Sequence, residues 1–156
     1  MTSVPDALAI AEETFRVIGE RFPNLTMMRQ PDDPVEISIV LPVQTGLRHR
    51  VWLALQNGDE LHFSVGSFWL GWFPCTNPAK VDRYLDAVCG FLSGRYRVLE
   101  HLRDGRCIKA QLQAPDSTRG WRTLGTWGKF WLPSFTFVRV NVISNAQIEL
   151  PNSTSA

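Results

Sequence analysis

Three histidines, His49 in "LRHRV", His62 in "ELHFS" and His101 in "LEHLR", are the side chains best suited to acid–base or metal chemistry near neutral pH. No two of them stand at HxH or HxxxH spacing, and no adjoining residues complete a recognisable ligand set, so a metal centre is not indicated. Cys75, Cys89 and Cys107 are odd in number and show no CxxC spacing, which points to reduced, mostly buried thiols rather than a disulfide framework or a zinc site. Cys75 precedes a helix start, where a thiol pKa can be depressed, but a small apolar residue packed in a loop is the simpler reading. Ser64 and Ser67 in "FSVGS" lack the GxSxG pattern of a nucleophile elbow. Neither GxGxxG nor GxxxxGK[ST] occurs, and Gly120, Gly125 and Gly128 lie in strand-like text, where they mark bends or bulges. The paired carboxylates Asp32-Asp33 and Asp59-Glu60 fall in turn contexts. No catalytic residue and no cofactor is nominated.

The aromatic residues stand out instead. Phe68, Trp69, Trp72 and Phe73 crowd the stretch "SFWLGWFPCTNP"; Trp121, Trp127, Phe130, Trp131, Phe135 and Phe137 crowd a second. Together these hold five of the six tryptophans. Such rings either fill a core or form a contact surface, where Trp and Arg are enriched. The reading as a partner surface or ligand pocket nominates Trp69, Trp72, Trp127 and Trp131, with Arg122, His62 or Glu60 supplying polarity. In a regular strand Trp121, Thr123, Gly125 and Trp127 face one way and Arg122, Leu124 and Thr126 the other, so rings and basic groups do not all converge.

The elements that position these residues follow from periodicity. Leu8, Ala11, Phe15, Ile18 and Phe22 recur at helical spacing, with Ser3 as a cap candidate and Pro23 as a stop. The period then switches to two in "VEISIVLPV", "RVWLALQ" and "ELHFSVG", the last two joined by the hairpin signal Asn57-Gly58-Asp59. A second helix starts at Asn77-Pro78 and carries Val81, Leu85, Val88 and Leu92, with Gly94 at its end. "RYRVLEHL" and "RCIKAQLQA" flank a second hairpin signal, Asp104-Gly105, and "GWRTLGTW" and "FTFVRVNVI" add two strands. The order α-β-β-β-α-β-β-β(-β) predicts one α+β domain over residues 1–150, two helices on a mainly antiparallel curved sheet, with a flexible tail at 151–156.

With 156 residues, 44% hydrophobic and 20% charged, the chain is a globular length and composition. No apolar run approaches the roughly 20 residues of a membrane span, and the N-terminus has no basic region followed by an apolar one, so a cytoplasmic protein with no membrane partner is expected. Charge is divided unevenly: five arginines against nine carboxylates over 1–79 (−4), eleven basic side chains against six acids over 80–156 (+5). Near-neutral overall charge and compensating acids in "RYRVLEHLRDGRC" argue against nucleic acid. In its element order alone the chain is similar in outline to small bacterial α+β chaperones of secretion effectors and to toxin-neutralising immunity proteins, a resemblance that implies protein binding. The expectation is a non-enzymatic binding or adaptor module that engages a protein partner, or a second copy of itself, through an aromatic and basic surface. The alternative is a small-ligand-binding protein or enzyme with a Trp-lined pocket.

Overall fold

The structure, a computed structural model, describes residues 6–128 and 138–146. The chain runs α1 (Ala7–Arg21), β1 (Met28–Arg29), β2 (Ile37–Leu41), β3 (Val51–Gln56), β4 (Glu60–Val65), β5 (Phe68–Trp72), α2 (Pro78–Leu92), β6 (Arg97–Arg103), β7 (Arg106–Asp116), β8 (Gly120–Gly128) and β9 (Arg139–Ser144). The α+β class is the one the sequence indicates, and the order of helices and strands matches roughly, with five strands rather than three before the second helix. The single curved sheet is not: there are two antiparallel sheets, of order β1-β2-β3-β4-β5 and β8-β7-β6-β9. They meet through side chains rather than a shared ladder, with β5 lying against β7 and β8. Contact is close enough that a Cβ on Gly125 of β8 would stand 2.5 Å from Leu70 Cδ2. The tail at 151–156 lies outside the described residues.

Local chemistry sets the turns. Asn57 and Gly58 both have positive φ (53° and 83°), as do Asp104 and Gly105 (51° and 76°), the conformation that matches strand twist in tight hairpins. A third turn, Gly66-Ser67, was not anticipated; it pairs Val65 with Phe68 and so creates β5. Asp6, not Ser3, caps α1: its carboxylate accepts the Leu8 amide at 3.1 Å, while Ser3 lies outside the described residues. Asn77 caps α2 by accepting the Ala79 amide at 3.0 Å, with Pro78 in the first turn.

One core joins the two sheets and both helices. Ala11, Phe15 and Ile18 of α1 are buried, whereas Leu8, expected on the same stripe, is 41% exposed. The buried side of α2 carries Tyr84, Val88 and Phe91, so the stripe is turned from the expected line, leaving Val81 and Leu85 half-buried. The turn has a physical cause. Tyr84 carries a polar hydroxyl and lies off the Val81–Leu85–Val88–Leu92 line, yet it is fully buried because that hydroxyl donates to the His62 carbonyl at 2.8 Å. Leu61, Phe63 and Val65 of β4 and Val98, Ala110, Leu112 and Ala114 of the second sheet complete the core.

Candidate functional site

Strand β5 separates the candidate residues. Its register with β4 places Phe68, Leu70 and Trp72 beside Val65, Phe63 and Leu61 on the core face, and Trp69 and Gly71 beside Ser64 and His62 on the other. Trp69 and Trp72 therefore face opposite ways and do not wall one pocket. The structure brings Trp69 together with His62, and Trp72 together with Arg122. Trp127 pairs with Ala110 and packs against the core. Trp131 lies outside the described residues.

On the outer face of the five-stranded sheet, Trp69 stacks on His62 with ring centroids 4.8 Å apart at 25°. His62 is only 2% exposed, its ring lying flat against Gly71, where a Cβ would stand 2.9 Å from Cε1. Its Nε2 meets Glu60 Oε2 at 2.9 Å, and Glu60 also accepts Asn57 Nδ2 at 3.0 Å. Those two hydrogen bonds, from Asn57 first and His62 second, hold the Glu60 carboxyl below its usual range. The pair has the composition of a general-base dyad. The free nitrogen, Nδ1, is nonetheless buried and without a hydrogen-bond partner among the described residues. A substrate proton could reach it only after Trp69 moved.

The second grouping is a cleft of about 400 Å³ between α2, β5 and β8. Trp72, Ala87 and Leu124 form its apolar walls; Arg83, Asp86, Arg122 and Thr123 supply polarity. Trp72 is held edge-on to Tyr84 with centroids 5.5 Å apart. Both Asp86 carboxylate oxygens accept the Tyr96 hydroxyl, at 2.9 and 3.0 Å. Burial and the Asp86 carboxylate push the Tyr96 hydroxyl up, which keeps it protonated as the donor.

A third feature escaped the sequence reading: the outer face of the four-stranded sheet. Register places Val140, Val142 and Ser144 of β9 beside His101, Leu99 and Arg97 of β6, which in turn lie beside Lys109, Gln111 and Gln113 of β7. Thr123 and Trp121 of β8 extend the same face. Val140 and Val142 are 50% and 49% exposed. The Arg97 guanidinium lies 4.0 Å over the Trp121 ring and donates to Gln113 Oε1 at 3.0 Å. No carboxylate projects from these positions, because Glu100, the acid of β6, faces inward. The alternation in "RVNVI" was the available signal; what it could not show was that both valines are half-exposed.

Cys75 and Cys89 are shifted away from activation. Cys75 is buried, and burial first and the Asp59 charge second push its pKa up; burial also raises Cys89. Among the described residues no group of three or more His, Cys, Asp or Glu side chains is placed to hold a metal ion, and no helix is long and apolar enough to cross a membrane. Compared with protein families, curated proteins and solved structures, the chain shows no match.

Proposed function

We propose that the protein is a non-enzymatic binding module, of the chaperone-like or immunity-like kind, that engages a protein partner through the outer face and the β9 edge of its four-stranded sheet. The observation that carries this reading is the outer face itself: two half-exposed valines on an edge strand, an arginine held flat on a tryptophan, a lysine, and no carboxylate. Strand β9 is hydrogen-bonded on one side to β6 and ends the sheet among the described strands. A partner strand added there gains main-chain hydrogen bonds, and alternate side chains meet the valine face. Because side chains alternate along a strand, the apolar residues of such a segment meet the valines while the intervening ones lie beside Arg139 and Asn141 on the other side of β9, so Arg139 favours a partner segment that alternates apolar and acidic residues. The three free thiols fit a reducing compartment, and we place the module in the cytoplasm on that basis.

The test is calorimetric titration with a capped seven-residue peptide alternating Val and Glu, against its Val and Lys counterpart. The expected result is saturable binding of the acidic peptide, weakening as salt is raised, with no binding of the basic one. Equal binding of both peptides, or of neither, overturns the proposal.

A further inference from the structure

The cleft between α2, β5 and β8 lies on the core side of β5, shares only Thr123 with the outer face of the four-stranded sheet, and differs from it in chemistry. We infer that it is a binding site for a small aromatic carboxylate, the ring lying against Trp72 and the carboxylate held between Arg83 and Arg122.

Three observations carry the assignment. The volume, about 400 Å³, suits a small molecule and excludes a folded partner. Of the polar groups lining it, Asp86 is already committed, since both of its oxygens accept the Tyr96 hydroxyl. Arg83 and Arg122 are not: the ion pairs among the described residues join Arg16 to Glu13 and Glu20, Arg29 to Glu12 and His62 to Glu60, and none of them uses either guanidinium. Two arginines against one aspartate leave the lining with a single positive charge, which one carboxylate neutralises and a phosphate dianion exceeds. A guanidinium fork also matches the two oxygens of a carboxylate. The apolar side of the cleft selects the rest of the ligand. Trp72 is fixed by its edge-on contact with Tyr84, so its exposed surface is a rigid wall against which an aromatic ring can stack, with Ala87 and Leu124 as the other apolar lining.

The inference is tested by nitrogen-15 NMR of the Trp72 indole N–H and the arginine Nε–H groups, with benzoate, phenyl phosphate and benzamide as probes. Benzoate is expected to shift the Trp72 resonance saturably, benzamide not at all, and phenyl phosphate to bind at least several-fold more weakly. Arg83→Gln and Arg122→Gln, both at exposed positions, should each weaken benzoate about ten-fold or more while leaving the spectrum otherwise folded. Absence of a saturable shift, equal binding of benzamide, or variants that bind as well as the parent protein overturns the site. Tighter binding of phenyl phosphate overturns the carboxylate assignment. None of these readouts involves Val140 or Val142, so the site and the proposed partner surface succeed or fail independently.

Discussion

His62 shows how strongly one neighbour can determine a side chain's role. A histidine beside a glutamate reads as acid–base machinery, but here the imidazole is sealed between Trp69 and Gly71, and its packing rather than its proton is what the sheet uses. Gly71→Ala should therefore act at a distance. Its Cβ, at 2.9–3.4 Å from three ring atoms, forces the imidazole off Trp69, at a cost of about 1–3 kcal/mol. The expected outcome is a lower urea midpoint together with changed tryptophan emission; an unaltered emission spectrum would show that the stack does not depend on that glycine. The two tryptophans of β5 should separate in the same way. Trp72→Ala removes a ring packed on Tyr84 and the core, for about 3 kcal/mol, whereas Trp69→Ala, at a 41% exposed position, should cost about 1 kcal/mol. Denaturant melts of the two variants check the order. The types of these residues were legible in the sequence, and so was their alternation. Their partners were not, because the His62–Trp69 and Trp72–Arg122 groupings depend on which strands and helices meet, and period-two spacing carries no such information.

At the level of elements, hairpins were the most legible feature, since Asn57-Gly58 and Asp104-Gly105 encode their turns in the backbone preferences of two residues. Gly66-Ser67 encodes its turn through the glycine alone, a weaker signal than Asn-Gly or Asp-Gly, because Ser67 has no comparable preference for positive φ. Gly66 combines positive φ (56°) with a space so tight that a Cβ would stand 2.2 Å from Ile143 Cδ1, so this turn also seats β9 against the first sheet. The outward valines of that same strand make a contrasting prediction. Val140→Glu with Val142→Glu replaces half-exposed side chains and should change stability by less than about 1 kcal/mol. Binding of the acidic peptide should nevertheless be abolished. A double variant that still binds the peptide as the parent does would remove β9 from the partner surface.

Across the whole molecule, the division of charge seen along the chain takes a spatial form: the basic second half builds the four-stranded sheet, whose outer face carries no acid among the described residues. The acid of β6 is turned inward as a connector. Glu100 accepts the Ser67 amide and Asn141 Nδ2, each at 2.9 Å, linking the β4–β5 turn to β9. Burial pushes its pKa up, but the hydrogen bonds from Ser67 and Asn141 outweigh that and hold it below the ordinary value. The folded protein thus binds this proton less readily than the unfolded chain. The resulting stability is complete above the unfolded value, about 4.3, and is lost as pH falls through the folded one. Glu100→Gln sets an amide donor against one of two donors and should cost about 1–3 kcal/mol at neutral pH, and the gap between parent and variant should narrow below about pH 4. Urea midpoints measured from pH 7 to 3 check this; a gap independent of pH would mean that the ionised carboxylate contributes nothing. Two sheets instead of one could not have been read from the sequence, because strand order is set by packing around α2 and not by any single segment's pattern. The measurement that tests the central claim most directly is amide-shift mapping of the alternating Val and Glu peptide on the labelled protein. Perturbations concentrated on β9 and β6, around Val140, Val142, Leu99 and Arg97, are the predicted result. Perturbations elsewhere with this face silent would contradict the account.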